Sequence, residues 1–342
     1  MNNTDFGSSG SHPTADILVV VPVMNRPQYI GVALDAILKQ TLQPDYLIVV
    51  DDCSTDNTAA EVQAWFDTKA PPFATKLIVH NENKGASAAR NSGLACAEEK
   101  HRYIYFLDSD DVPSPTFLEK TRDALEKHPQ AVAASADRIL KNQNGEVQYL
   151  NQKRLSINPY HWFIDMGAGV SSSTLLRTRL IEKLGGYNEV LLTGHDTELF
   201  FRLASLGEWL HVSGSPVVMH EHSTHLRDMH DDPLRKWCHI FEDCVARFAV
   251  QKDLEAEVYR FLLARKWRHA GLELLAQQRC RQAQDCFRRS ITWHVKSGFK
   301  SFFYWLLALP AVLLFRILDK LKLYDCFMDA VKRIHSQYKF RF

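Results

Sequence analysis

No two of the seven cysteines form a CxxC pair. Cys53, Cys96, Cys238, Cys244, Cys280, Cys286 and Cys326 are odd in number and scattered, which argues against a local zinc clamp and for a reduced, intracellular setting. The chain also lacks an excess of charge of either sign. Its 41 Lys and Arg face 40 Asp and Glu, a net charge of +1, so nucleic acid is not the expected partner, since that binding needs clustered cations on many phosphates. Residues 1–15 lack the basic start and apolar run of a signal peptide and read as a disordered leader. Nor is there an uninterrupted apolar run of about twenty residues, the length that spans a bilayer. The strongest candidate, Phe302 to Leu318, is broken by Pro310 and carries Arg316, with Lys296, Lys300, Lys320 and Lys322 on its flanks. Those basic flanks suit a membrane-surface helix or a re-entrant hairpin; the alternative is a buried helix of the C-terminal region. Finally, Val21-Pro22-Val23-Met24-Asn25 contains no glycine, whereas a nucleotidyltransferase needs a Gly-rich, basic triphosphate loop there.

What the chain does have is the balance of a folded domain, 46% hydrophobic and 24% charged, over 342 residues. Apolar, largely β-branched runs at residues 17–21 and 46–50 read as buried strands, with a helix at 28–40 between them. The alternation continues with a helix at 58–66, a strand at 76–79, a helix at 86–97 and a strand at 103–107. This predicts an α/β fold with a mostly parallel sheet covered by helices, and ligands at the carboxyl ends of its strands. A helix at 116–127 and a strand at 131–136 follow. Asn144-Gly145 marks a hairpin turn, and further strands are expected at 167–176 and 209–212, flanking a helix at 196–206. The expected organisation is a leader at 1–15, a catalytic region at 16–230 and a helical region at 231–342. Within the last, Trp267, Gly271, Leu274, Ala283 and Phe287 have the spacing of a helical hairpin.

Chemistry concentrates at strand ends. Asp108-Ser109-Asp110-Asp111 follows the strand at 103–107, where alternate carboxylates can share a hard divalent cation that also holds a diphosphate. Asp111 also suits an Asx turn or a cap before Pro113. Asp51 and Asp52 end the second strand, where a carboxylate can accept a hydrogen bond from a base or ribose, while Ser54 and Asp56 suit caps of the helix that starts near Thr58. Asn83 to Asn91 opens a helix with small residues that permit close approach of a ligand, and Arg90, one turn in, can reach a phosphate or take a structural ion pair.

In this order the motifs resemble the inverting family-2 glycosyltransferases with the GT-A fold, over about residues 16–230. The matching pieces are Val19-Val20-Val21-Pro22 with Asn25-Arg26, Val49 to Asp56, Asn83 to Asn91, and Leu107 to Asp111. The resemblance implies a nucleotide-diphospho-sugar donor, UDP-linked by expectation, bound by Pro22, Val23, Asn25, Asp52, Gly85, Arg90, Asp108 and Ser109. It implies Mn2+ or Mg2+ on Asp110 and Asp108, with His220 as an added ligand from His220-Glu221-His222. It implies that Asp196, in Gly194-His195-Asp196-Thr197-Glu198, is the general base, with His195 where the family usually has Glu. Expected acceptors are saccharides, lipid-linked or protein-linked, in surface polysaccharide, lipopolysaccharide or other glycoconjugate synthesis. The expected location is cytoplasmic, peripheral on the inner membrane. The rival readings are a non-catalytic sugar-nucleotide or scaffold protein, which the intact Asp110 and Asp196 argue against, and the nucleotidyltransferase already mentioned.

Overall fold

The structure, a computed structural model, describes residues 16–142, 145–165, 171–191, 194–220, 238, 242, 256–277 and 279–293. The leader, Asn144, residues 167–170, His222, His225, His230 and Phe302 to Leu318 lie outside the described residues. Among the described residues no helix is long and apolar enough to cross a membrane. They divide into two compact units, drawn from Met1–Ser156, Val170–Glu189 and Gly207–Ser223 in the first, and from Ile157–Gly169, Val190–Leu206 and Thr224–Phe342 in the second. Residues 157–169 and 190–206, which interrupt the first unit in sequence, thus group with the C-terminal helices.

The first unit is a layered α/β sheet. Strands β1 (Ile17–Val23), β2 (Tyr46–Asp51), β3 (Ala74–Val79) and β4 (Tyr103–Phe106) alternate with helices α1 (Pro27–Leu38), α2 (Thr58–Lys69) and α3 (Ala86–Leu94). All seven residues of β1 are buried, as its continuous apolar run requires of a central strand. α1 starts with Pro27 in its first turn, where a missing N–H costs nothing, and buries Ile30, Ala33, Leu34 and Ile37 at helical spacing. α3 lies hard against β1, because a Cβ on Gly93 would stand 2.3 Å from Val20 Cγ1. That close approach sets how near the strand ends Arg90, one turn earlier, can come.

The chain continues through β5 (Val112–Pro113), α4 (Phe117–Lys127), β6 (Ala131–Lys141), β7 (Val147–Leu150), the short α5 (Lys153–Ile157), a 3₁₀ turn at Ser171–Ser173, β8 (Thr174–Arg177), α7 (Thr178–Lys183) and β9 (Glu208–His220). Sheet order is β3-β2-β1-β4-β8-β6-β9-β5, with β7 on β6. The sheet is mixed. Its half β3-β2-β1-β4 is parallel, as the alternation predicts, while β8 enters antiparallel to both β4 and β6, and β6 pairs parallel with β9. The expected hairpin is present: β6 and β7 pair antiparallel, and Gly145 adopts φ +79° at its turn. β9 reads in sequence as two short strands because Gly214, at φ +73°, interrupts its alternation. The parallel half matters for function, since the loops after β1, β2, β3 and β4 all leave the same edge of the sheet.

The second unit is helical where described. α6 (Pro159–Asp165) packs on α8 (His195–Ala204) through Tyr160 against Phe201 and Phe163 against Phe200, with ring centroids 5.2 and 6.0 Å apart. α9 (Ala256–Ala276) and α10 (Cys280–Trp293) form the expected helical hairpin, burying Trp267, Leu274 and Phe287. Gly271 is what lets Phe287 in, since a Cβ there would lie 2.5 Å from the ring. The Glu242 carboxylate accepts the indole N–H of Trp267 and of Trp293, each at 2.9 Å, and Arg289 at 3.2 Å.

Candidate active site

The loops after β1 and β2 clasp each other. Asn25, in the left-handed region at φ +51°, donates its main-chain N–H to Ser54 Oγ (2.9 Å), and its side-chain oxygen accepts from Thr55 N (2.8 Å). Of the two expected caps, Asp56 does accept Thr58 N at 2.9 Å at the start of α2, while Ser54 serves Asn25 instead. Asp52 is buried and turns toward the next loop: its carboxylate accepts Lys84 N (2.9 Å), Gly85 N (2.7 Å) and His80 Nδ1 (2.8 Å). Those bonds shape the turn into α3, where Gly85 sits at φ +88°, a conformation that side-chain-bearing residues rarely adopt. Three bonds fill three of the roughly four acceptor positions of a carboxylate, leaving one for a ligand donor.

Arg90, 3% exposed, lies in α3 and donates Nη2 to Asp108 Oδ1 at 2.6 Å, with its guanidinium 5.2 Å from the centre of the Tyr187 ring. Asp108 is fixed from behind as well, its main-chain N–H donating to Ser172 Oγ at 3.0 Å. Arg26, the residue before α1, places Nη1 2.6 Å from Asp110 Oδ2. Asp111 does not take the capping role its position suggests. Its carboxyl is buried and hydrogen-bonded to Ser172; burial, with the Asp108 charge adding, pushes it well above the usual carboxylate range, against the pull of Ser172 and Arg138. Burial in turn lowers the Arg138 guanidinium to about 10, although Asp111 opposes this.

His220 closes this side. Its Nδ1 lies 3.0 Å from the main-chain oxygen of Asp110. A carbonyl only accepts, so Nδ1 carries a proton, and in the neutral imidazole that leaves Nε2 as the nitrogen with the lone pair that can bind a metal. Of the expected metal ligands, Asp108, Asp110 and His220 therefore belong to one loop and its immediate neighbour. Among the described residues, however, no three His, Cys, Asp or Glu side chains converge on one point, and each of the two carboxylates meets an arginine.

Asp196 belongs to the second unit. It stands in the first turn of α8, whose N-cap is Gly194 at φ +71° with no side-chain cap bond, so Asp196 is not a capping residue. His195 Nε2 is 3.7 Å from its Oδ1. Glu198 is committed to Arg202 through two 2.7 Å bonds.

Several site residues escape the sequence reading. Arg26 stands in a quoted motif but nothing there points to Asp110 as its partner. Ser171, Ser172 and Ser173 sit in a segment read as strand, yet they form a buried turn that holds Asp108 N, Tyr187 Oη (3.2 Å from Ser171 Oγ) and Gln152 Nε2 (2.8 Å from Ser173 Oγ). Tyr187, in turn, exchanges two main-chain bonds with the Asn91 side chain at 2.8 and 2.9 Å. The one available signal is three consecutive serines between apolar residues, which marks buried hydroxyls that need partners.

Residues 18–185, from β1 to just past α7, match the family model described as glycosyl transferase family 2. Residues 18–185 are a glycosyl transferase family 2 domain. This family-2 match includes the loops that carry Asp52, Arg90, Asp108 and Asp110 and ends before Asp196 and His220. A pre-mycofactocin glycosyltransferase of Mycobacterium tuberculosis is 30% identical over 228 residues, covering 62% of this chain and 44% of its own length. The Escherichia coli UDP-Glc:alpha-D-GlcNAc-diphosphoundecaprenol beta-1,3-glucosyltransferase WfgD is 29% identical over 164 residues, 48% of this chain and 61% of its own. The chain thus spans about half the length of these curated relatives. Among solved structures, S. aureus TarS 1-349 in complex with UDP-GlcNAc superposes with a TM-score of 0.62 at 19% identity, covering 80% of this chain and 81% of that one. That likeness establishes the GT-A fold.

Proposed function

We propose that this chain is a metal-dependent, inverting glycosyltransferase that moves a sugar from a UDP-linked donor to a saccharide acceptor on a lipid or other glycoconjugate. The observation that carries the proposal is the gathering of Arg26, Asp52, Arg90, Asp108 and Asp110 from three strand-end loops and a helix start at one edge of the sheet, with two guanidiniums matched to two carboxylates. Family membership supports transfer from a nucleotide sugar. The UDP-GlcNAc in TarS and the UDP-Glc donor and diphosphoundecaprenol-linked acceptor in the name of WfgD support the choice of donor and acceptor class.

In this reading Pro22, Val23 and Asn25 flank the base, Asp52 takes a base N–H on its remaining acceptor position, and Gly85 lets the diphosphate approach the main chain. Arg90 meets the phosphates, and Asp108 and Ser109 meet the ribose. The carboxylates of Asp108 and Asp110 and the Nε2 lone pair of His220 are donors that suit Mn2+ or Mg2+. When bound, such an ion neutralises the charge that develops on the departing diphosphate. Asp196 accepts the proton of the acceptor hydroxyl as its oxygen attacks the anomeric carbon and the bond to the β-phosphate breaks on the opposite face. Residues 16–230 then carry transfer. The region at 231–342, with the basic-flanked segment Phe302 to Leu318, recruits the enzyme to the membrane surface on which a lipid-linked acceptor resides.

Calorimetric titration of UDP, GDP, CDP and TDP with and without Mn2+ tests the donor assignment. UDP is expected to bind tightest, with Mn2+ strengthening it by about tenfold or more, equivalent to about 1.4 kcal/mol. Tighter binding of GDP, or of no nucleotide at all, would overturn it.

A further inference from the structure

The two arginine pairs at the acidic loop are not equivalent. Arg90 is almost fully buried and is flanked by Asp108 and the Tyr187 ring, so it is a fixed part of the wall. Arg26 is different. Its side chain is 32% exposed, and among the described residues its guanidinium meets the Asp110 carboxylate and, at 5.7 Å, the face of Tyr29. Its main chain, by contrast, is anchored: Arg26 N donates to Thr58 Oγ1 at 3.0 Å, and Arg26 O accepts Tyr29 N and Ile30 N at 3.1 Å in the first turn of α1. A fixed stem with an accessible head can exchange one anionic partner for another without disturbing the fold. Asp110 is the carboxylate that the proposed function gives to the metal, so cation and guanidinium compete for the same oxygens.

We infer that Arg26 is a placeholder cation: it neutralises Asp110 while the donor is absent, yields that carboxylate when the divalent ion arrives with the diphosphate, and turns to the diphosphate itself. The inference rests on the proposed function. Its consequence is thermodynamic coupling. Metal alone must displace the guanidinium from Asp110 and brings it no new anion, whereas metal with a nucleoside diphosphate does. Each ligand then strengthens the other by the same factor, because binding linkage is reciprocal. The device also leaves Asp110 without an uncompensated charge between turnovers.

The test is Mn2+ affinity, read by electron paramagnetic resonance of free Mn2+, with and without UDP. Wild type, Arg26→Gln, Arg26→Met, which keeps the stem against Tyr29, and Arg26→Lys, which keeps the charge, are compared. Both neutral variants are expected to bind Mn2+ without UDP about tenfold more tightly than wild type, since a competing positive charge within 3 Å of the ligand oxygen is gone. In both, the strengthening by UDP should shrink by a similar factor, while Arg26→Lys behaves as wild type. Neutral variants that melt at the wild-type temperature yet bind Mn2+ no more tightly would overturn the placeholder role. If wild type with UDP binds no Mn2+, the metal-dependent reading itself fails, an outcome distinct from the first.

Discussion

Asp196→Asn is expected to lower the rate of sugar transfer by about a thousandfold or more, while UDP affinity stays within about twofold of wild type. The substitution removes the proton acceptor and changes little else. Asn is isosteric, and the start of α8 does not depend on the side chain, because the N-cap is Gly194 and no side chain caps the helix. The neighbouring acid cannot take over, since Glu198 is held by Arg202 through two bonds. The N-terminus of the helix favours negative charge on a carboxylate at this position. UDP affinity should survive because the bonds that shape the donor loops, from Asp52, Arg90 and Asp108, all lie within the first unit and involve no atom of Asp196. Steady-state transfer rates with nucleotide binding measured on the same preparation decide the matter. A variant that keeps a tenth of its activity would place the base elsewhere, with His195 the first alternative.

The second large effect is expected at the acidic loop. Asp110→Asn should reduce metal-stimulated transfer by roughly 100- to 1,000-fold, the scale on which loss of one charge-stabilising group acts on a transition state. It should also remove the strengthening of UDP binding by Mn2+. No adjacent acid can substitute. Asp111 is buried and bonded to Ser172 beside Arg138, and Asp108 is in this reading already a donor to the same ion. The variant also leaves the Arg26 guanidinium without its counter-ion, so UDP binding without metal should change far less than the transfer rate. Titration of transfer rate against Mn2+ concentration checks this. A curve that matches wild type would remove Asp110 from the metal site.

Strands β2, β1 and β4 of the parallel half were legible because they are buried on both faces. Such strands read as continuous apolar runs, and Ile17–Val23, Tyr46–Asp51 and Tyr103–Phe106 do so and end at or next to the loops that carry acids. The α9 and α10 pair was legible for a similar local reason, the helical spacing of Trp267, Gly271 and Phe287. The antiparallel half was harder. β9 hides its length behind Gly214 and a register shift between Ala136 and Arg138 on its partner, and the Ser171–Ser173 turn has the polarity of a loop although it is fully interior. Polar residues of that kind are satisfied only by partners distant in sequence, such as Asp108, Gln152 and Tyr187. The candidate site residues were chosen from motif order, but their pairing was not legible in it. That Asp52 spends three of its acceptor positions on the Lys84-Gly85 turn and His80, and that Asp110 meets Arg26, are tertiary facts with no local sequence signal.

The central claim, transfer of a sugar from a UDP-linked donor, is tested most directly by nucleotide release from a panel of UDP-, GDP-, CMP- and TDP-sugars, with and without Mn2+. The account predicts Mn2+-dependent release of UDP from a UDP-sugar and none from the other nucleotides. Folded protein that releases nothing from any UDP-sugar, with or without metal, or that turns over only a different nucleotide sugar, would contradict it.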